Sequence, residues 1–157
     1  MTHAPEPWSA ERAREIIEAH RHLDGPANPI LRALQEAFGC VPREAMPMIA
    51  EALNISRAEV HGIVTFYHDF RDKPPGRHVL KLCRAEACQA MGADALAEKI
   101  QKKLGARFGE TARDGAVTVE PVYCLGLCAC APSAMLDGRP IGHLTTDKIE
   151  RFLGVDT

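Results

Sequence analysis

The sequence predicts an α+β protein, with a helical bundle over residues 1–72 followed by a small α/β domain over residues 77–157. Three observations lead to this fold class. Apolar residues recur with helical period in the first half, and they alternate along valine-rich segments in the second half. Between the halves, residues 72–76 read Asp-Lys-Pro-Pro-Gly, which cannot continue a helix and is typical of a linker.

The first half is predicted to contain four short helices with short connections, a pattern typical of a small bundle. The second helix has Asn28 as its N-cap and Pro29 at its first helical position, and it stops at Gly39. The third runs over about residues 43–53, with Pro47 near its first turn. Ser56 and Glu59 form a capping box at the start of the fourth helix. The side chains predicted to face the core are Ala13, Ile16, Ile17 and His20 of the first helix, Ile30, Leu34 and Phe38 of the second, and Val60, Ile63, Val64 and Tyr67 of the fourth.

The second half is predicted to run in the order strand, helix, strand, hairpin, helix, which suits a small α/β layer resembling the thioredoxin fold. Asp137-Gly138 between two short apolar segments is a strong signal for a two-residue hairpin turn. The last helix is predicted to bury Ile149, Phe152 and Leu153. The predicted elements cover residues 78–82 (strand), 88–104 (helix), 116–122 (strand), 134–141 (hairpin) and 145–153 (helix).

Composition excludes several functional classes. The formal net charge is −2 and no basic run occurs, which gives little support to nucleic-acid binding. No apolar stretch approaches the roughly 20 residues of a membrane-spanning helix, and the N-terminus lacks the features of a signal peptide. We therefore expect a cytoplasmic protein. Six cysteines in a reducing compartment indicate metal or redox chemistry rather than disulfides.

Four of the cysteines form two pairs, each following a predicted strand. Cys83 and Cys88 have the spacing C-x4-C, and Cys124 and Cys128 have the spacing C-x3-C. Loops that leave the carboxyl ends of neighbouring strands meet at one edge of an α/β sheet, so four thiolates could converge there. A [2Fe–2S] cluster requires such a set, with two sulfurs on each iron. The spacing therefore favours one such cluster, which passes single electrons rather than turning over a substrate.

Other assignments of the cysteines stay open on spacing alone. A zinc-stabilised interaction module is one alternative, although C-x4-C lies outside the commonest zinc-ribbon spacing and neither loop contains a histidine. Unrelated buried thiols are another, whereas a thioredoxin-type dithiol motif is missing because C-x2-C does not occur. Cys130 could in principle replace Cys128, although its spacing from Cys124 is less regular. Cys40 is interpreted as a small buried hydrophobe.

Two residues beside the cysteines are candidates for tuning the site. Gly126 permits a positive φ and allows backbone N–H groups to approach the sulfurs. Arg84 either offsets the negative charge of the site or is a solvated surface residue. The seven histidines form no convergent set, and no phosphate loop or catalytic triad motif is present. No independent catalytic residue is therefore predicted.

The cysteine spacing, together with the run Val-Tyr-Cys-Leu-Gly-Leu-Cys at 122–128, resembles the thioredoxin-like [2Fe–2S] ferredoxin family. The segment Gly-Ile-Val-Thr-Phe-Tyr at 62–67 resembles the end of that family's helical N-terminal domain. The resemblance implies that Cys83, Cys88, Cys124 and Cys128 are the ligands of one [2Fe–2S] cluster in a thioredoxin-like α/β domain. It also implies a helical bundle that serves as a docking surface for a partner.

The resemblance further implies a parent complex. Leu127 and the run 132–138, Pro-Ser-Ala-Met-Leu-Asp-Gly, look most like the gamma subunit of NAD-dependent formate dehydrogenase, which converts formate and NAD+ to CO2 and NADH. The chain would then exchange single electrons with an FMN- and NAD-binding subunit, beside a large catalytic subunit. The alternatives are the small ferredoxin subunit of NADH:quinone oxidoreductase (complex I) and that of an NAD-reducing hydrogenase.

Overall fold

A computed structural model describes residues 5–154 of the chain. It contains a helical unit and an α/β unit, divided between Pro74 and Pro75 inside the predicted linker. The predicted α+β class is confirmed. Within residues 5–154, no helix combines the length and the apolar character needed to cross a membrane.

Four helices form the first unit: α1 (Ala10–His20), α2 (Ala27–Phe38), α3 (Ala45–Leu53) and α4 (Arg57–Phe66). Ser9 caps α1, and the predicted capping box of Ser56 with Glu59 is present at the start of α4. Amphipathic helices of this length depend on tertiary packing for most of their stability. The shared core is aliphatic, and its fully buried members include Ile30, Leu31, Leu34, Ile49 and Val60.

Three details of this unit differ from the sequence predictions. Helix α2 begins at Ala27, two residues before the predicted first helical residue Pro29, because Pro26 occupies the N-cap and already has helical dihedral angles. Helix α3 begins at Ala45, which leaves Pro47 in the first turn, where its missing N–H breaks no helical hydrogen bond. Tyr67 is 44% exposed rather than buried, since α4 ends at Phe66 and the chain turns to an extended conformation.

The second unit contains a mixed five-stranded sheet in the order β2-β3-β1-β4-β5. Strands β1 and β3 are parallel, with Cys83 opposite Val122, whereas the other neighbouring pairs are antiparallel. The elements are β1 (His78–Cys83), α5 (Glu86–Ala90), α6 (Ala93–Leu104), β2 (Glu110–Thr111), β3 (Val117–Val122), β4 (Ala134–Leu136), β5 (Arg139–Ile141) and α7 (Thr146–Leu153).

The predicted hairpin is confirmed, and three other details of this unit are corrected. Asp137 and Gly138 both have positive φ, 49° and 80°, as a two-residue hairpin turn requires. The single helix predicted over 88–104 is two helices, because Gly92 has a left-handed φ of 82°. Strand β2 was not predicted, since two residues carry no periodic signal. Phe152 is 58% exposed, whereas Ile149 is buried.

Candidate metal centre

The parallel pairing of β1 and β3 brings the two cysteine segments to the same edge of the sheet. Cys83 is the last residue of β1, and Cys124 lies two residues beyond the end of β3. The hydrogen bond from the Arg84 N–H to the Val122 carbonyl, 2.8 Å long, continues the pairing past the end of β1. The site therefore lies at the carboxyl ends of neighbouring parallel strands, as the sequence predicts.

One pair of cysteines is buried. Cys83 is 3% exposed, and Cys88, on the short helix α5, is 1% exposed. Burial is the largest influence on the pKa of Cys83 and acts to raise it. Hydrogen bonds to its sulfur from the backbone of Ala85, the side chain of Cys88, the backbone of Cys124 and the side chain of Ser133 together outweigh burial and lower that pKa. These hydrogen bonds thus favour the thiolate form of Cys83, which is the form that binds metals.

The other pair is exposed. The sulfurs of Cys124 and Cys128 lie 3.8 Å apart. Two thiolates bound to one tetrahedral metal with bonds of about 2.3 Å are separated by about 3.8 Å, so this spacing fits a shared metal ion. The hydrogen bond with the Cys124 sulfur and then the charge of Cys124 raise the pKa of Cys128. A bound cation would reverse that effect.

The loop between these two cysteines is shaped by residues with positive φ. Cys124 has a φ of 81° and Gly126 a φ of 75°. This turn directs the Gly126 N–H to the Cys124 sulfur at 3.4 Å, as predicted for that glycine. Nothing in the sequence signals the unusual φ of Cys124, which is a conformation that non-glycine residues rarely adopt.

All four cysteines are close enough to influence one another. The negative charges of Cys88 and Cys83 also raise the pKa of Cys128, although less than Cys124 does. All six cysteines of the chain are free thiols. Four thiolates in two pairs form the donor set that a [2Fe–2S] cluster needs, so the residues present fit that group. Within residues 5–154, no three His, Cys, Asp or Glu side chains are grouped around one position as a single-ion site would require.

Cys130 is held by a backbone hydrogen bond and a Cβ contact to the chain that follows β5. It ends the 3₁₀ turn Cys128–Cys130, and its carbonyl accepts a 2.6 Å hydrogen bond from the His143 N–H. Its Cβ lies directly against Gly142, where an added methyl group would come within 2.7 Å of it. These contacts fix the backbone and Cβ of Cys130 against the chain that follows β5, whereas the sulfur that lies 3.8 Å from the Cys124 sulfur is that of Cys128.

Two other predicted candidates are placed by the structure. Arg84 donates to the Asp94 carboxylate at 3.2 Å, and its guanidinium lies 5.3 Å from the centre of the Phe108 ring. Its charge is therefore paired with Asp94. Cys40 is buried in the helical unit, where burial, followed by the charges of Asp72 and Glu44, raises its thiol pKa, as for an unreactive structural cysteine.

Sequence reasoning missed Ser133, which contacts the buried cysteine pair, and Gly142, which contacts the neighbouring Cys130. Ser133 is 2% exposed, and its hydroxyl oxygen lies 3.4 Å from the Cys88 sulfur. Gly142 allows the close approach of the chain to Cys130. The only available signal for Ser133 was its position after Pro132, at the start of a predicted strand. Gly142 has no local sequence signal, because the residue that it contacts, Cys130, lies twelve residues away along the chain.

Comparison with known proteins relates most of the chain to a family of iron–sulfur proteins. The model of the thioredoxin-like [2Fe-2S] ferredoxin family matches residues 13–155. The E subunit of the NADH-quinone oxidoreductase of Pseudomonas aeruginosa is 37% identical over 91% of this chain and 87% of its own length. The corresponding protein of Escherichia coli is 36% identical over 98% of this chain and 93% of its own length.

A hydrogenase subunit and a solved hydrogenase structure are also similar. The NADP-reducing hydrogenase subunit HndA of Solidesulfovibrio fructosivorans is 28% identical over 88% of this chain and 81% of its own length. An NAD+-reducing [NiFe]-hydrogenase in the H2-reduced state aligns with a TM-score of 0.67 and 25% identity, covering 79% of this chain. This chain spans only 21% of that hydrogenase chain. The predicted formate dehydrogenase assignment is unconfirmed, since these relatives fit its stated alternatives better.

Proposed function

This chain belongs to the thioredoxin-like [2Fe-2S] ferredoxin family, and from that membership we propose that it is an electron-transfer subunit of an NAD-linked oxidoreductase. Cys83, Cys88, Cys124 and Cys128 hold one [2Fe–2S] cluster in this proposal. The observation that carries it is the convergence of a buried and an exposed cysteine pair at the carboxyl edge of β1 and β3. The family indicates an iron–sulfur cluster, whereas the assignment of its individual ligands is ours.

The chain's own residues position and partly cover the site. When bound, the cluster supplies one-electron redox chemistry at a potential set by its surroundings. The buried Cys83 and Cys88 fix one side in the protein, and the exposed Cys124 and Cys128 leave the other side open to a partner. Tyr123, next to Cys124, is 72% exposed and adds apolar surface beside the open side.

The parent complex that the relatives support best is an NADH:quinone oxidoreductase, in which this chain corresponds to the E subunit. There it exchanges single electrons with an FMN- and NAD-binding subunit, next to a large catalytic subunit. The helical unit is the proposed docking surface, which is supported by the exposed aromatic ring of Phe66 at the end of α4. The six free thiols fit a cytoplasmic site of action.

A formate dehydrogenase is the second candidate. The residues around the fourth proposed ligand favour it: Leu127 precedes Cys128, Ala129 and Cys130 follow it, and the run 132–138 resembles the gamma subunit of that enzyme. Complex I members commonly have glycine directly after this ligand, where Ala129 stands here.

Isolation of the chain with its partners tests the proposal and separates the two candidates. The tagged full chain is purified anaerobically from its native host, and iron, acid-labile sulfide and flavin are measured in the eluate. We expect two irons and two sulfides per chain, a co-purifying flavoprotein, and bleaching of the cluster by NADH. Quinone-dependent NADH oxidation identifies the first candidate, and formate-dependent NAD+ reduction identifies the second. A colourless chain with stoichiometric zinc and no flavoprotein would contradict both.

A further inference from the structure

Ser133 is a buried polar residue whose hydroxyl contacts both cysteines of the buried pair. It is 2% exposed, and its Oγ lies 3.4 Å from the sulfur of Cys88, which is itself 1% exposed. Burying a hydroxyl is unfavourable unless it forms a hydrogen bond. A neutral thiol is a weak partner, whereas a thiolate is a charged acceptor that forms a stronger bond. This placement therefore suits a charged sulfur at Cys88.

The backbone of Ser133 holds its hydroxyl in this position. The Ser133 carbonyl accepts a 3.0 Å hydrogen bond from the Cys83 N–H, which joins the residue to the other cysteine of the buried pair. The next residue begins β4, which pairs with β1. Ser133 is thus fixed by the sheet through its backbone, and its side chain contacts the sulfurs of both Cys88 and Cys83.

The direction of the hydrogen bond follows from the state of the sulfur. A cysteine that binds a metal has lost its proton, so the sulfurs of Cys88 and Cys83 can then only accept. The Ser133 hydroxyl must donate, and its single hydrogen is shared between these two sulfurs. One-electron reduction adds one negative charge to a site that already carries four thiolates, and it needs no proton at this contact. A donor in a buried, low-dielectric position stabilises the more negative state to a greater extent.

From these contacts we propose that Ser133 tunes the reduction potential of the cluster, by donating its one hydroxyl hydrogen to the sulfurs of the buried pair, Cys88 and Cys83, which makes the cluster easier to reduce. This inference rests on the proposed function, because it takes Cys88 as a ligand. Ser133 is a positioning and tuning residue in this account, and it takes no electron itself. The electron comes from the flavin of the partner subunit.

The test compares midpoint potentials of full-length variants in redox titrations followed by visible absorbance. Ser133→Ala removes the hydroxyl. At a fixed applied potential we expect the ratio of reduced to oxidised cluster to fall about tenfold, which corresponds to a midpoint potential lowered by about 59 mV for a one-electron couple. Ser133→Thr keeps a hydroxyl, and its midpoint potential should stay close to that of the wild type. Thr118→Val is the matched control, since it removes another buried hydroxyl, which bonds to Thr111 and Gly76 instead of a cysteine.

Each outcome bears on the proposal. A lowered midpoint in Ser133→Ala with an unchanged midpoint in Thr118→Val supports it, and equal midpoints in the wild type and Ser133→Ala overturn it. Ser133→Gly serves as a second variant, because it removes the hydroxyl without adding an atom to the buried site. Loss of the cluster from both variants would also overturn the proposal, since Ser133 would then be needed for assembly. A wild-type chain without iron and sulfide would instead refute the proposed function itself.

Discussion

The close contact between Gly142 and Cys130 predicts a large effect of adding a single methyl group. In Gly142→Ala the new Cβ would lie 2.7 Å from the Cys130 Cβ and 3.3 Å from its carbonyl oxygen. Carbon atoms prefer separations of about 3.5–4.0 Å, so the chain must move by about 1 Å. The backbone has little room to retreat, because the His143 N–H is bonded to that same carbonyl at 2.6 Å.

Overpacking of this kind costs about 1–3 kcal/mol of the free energy of unfolding. For a unit of this size, that loss lowers the melting temperature by about 4–24 °C. The assay is thermal unfolding of the anaerobically purified full chain, with the melting temperature measured by calorimetry. Gly62→Ala is the control, because an added Cβ there meets no atom within 4 Å and removes a flexible glycine from the middle of α4. It should stabilise by roughly 0.5–1 kcal/mol. A Gly142→Ala protein that melts like the wild type would refute the reasoning.

Three further predictions follow from burial and hydrogen bonding. The backbone N–H and then the hydroxyl of Ser56 lower the pKa of Glu59, so its contribution to folding is present at neutral pH and is lost as the pH falls through that lowered pKa. The difference in the free energy of unfolding between the wild type and Glu59→Gln should therefore shrink in urea titrations at acid pH. Leu80 is fully buried in β1, so Leu80→Ala should cost about 2–5 kcal/mol in urea unfolding, whereas Phe152→Ala, at a 58% exposed position, should stay within about 0.5 kcal/mol. Cys40→Ala should leave the iron content unchanged, and a loss of iron would show that its structural assignment is wrong.

Local signals predicted the fold where one residue type dictates the backbone. Gly39 ends α2 with a φ of 75°, and Asp137-Gly138 forms the hairpin turn, because few other residues tolerate these conformations. The break at Gly92 was missed, since a glycine inside an apolar helical period is often tolerated. The exposure of Phe152 was missed because the helical period predicts which side of the helix is apolar. It does not predict which residues of that side pack against the sheet.

The site was predictable to the extent that it depends on spacing. The strand ends place Cys83 and Cys124 at one edge of the sheet, and the short separations to Cys88 and Cys128 bring those sulfurs near them. The surroundings were not predictable, because they come from residues distant in sequence. Ser133 lies 45 residues from Cys88, and the pairing of β4 with β1 places it beside Cys83 at the end of β1, from which the chain continues to Cys88.

Two variants test the central claim, that Cys83, Cys88, Cys124 and Cys128 hold one [2Fe–2S] cluster. Cys128→Ala and Cys130→Ala differ by two positions in one turn, and alanine is chosen because a serine oxygen could itself bind iron. Iron and acid-labile sulfide are measured per chain after anaerobic purification. The account predicts that Cys130→Ala keeps two irons and two sulfides, whereas Cys128→Ala loses the cluster. A Cys128→Ala protein with a full cluster, beside a Cys130→Ala protein without one, would contradict it.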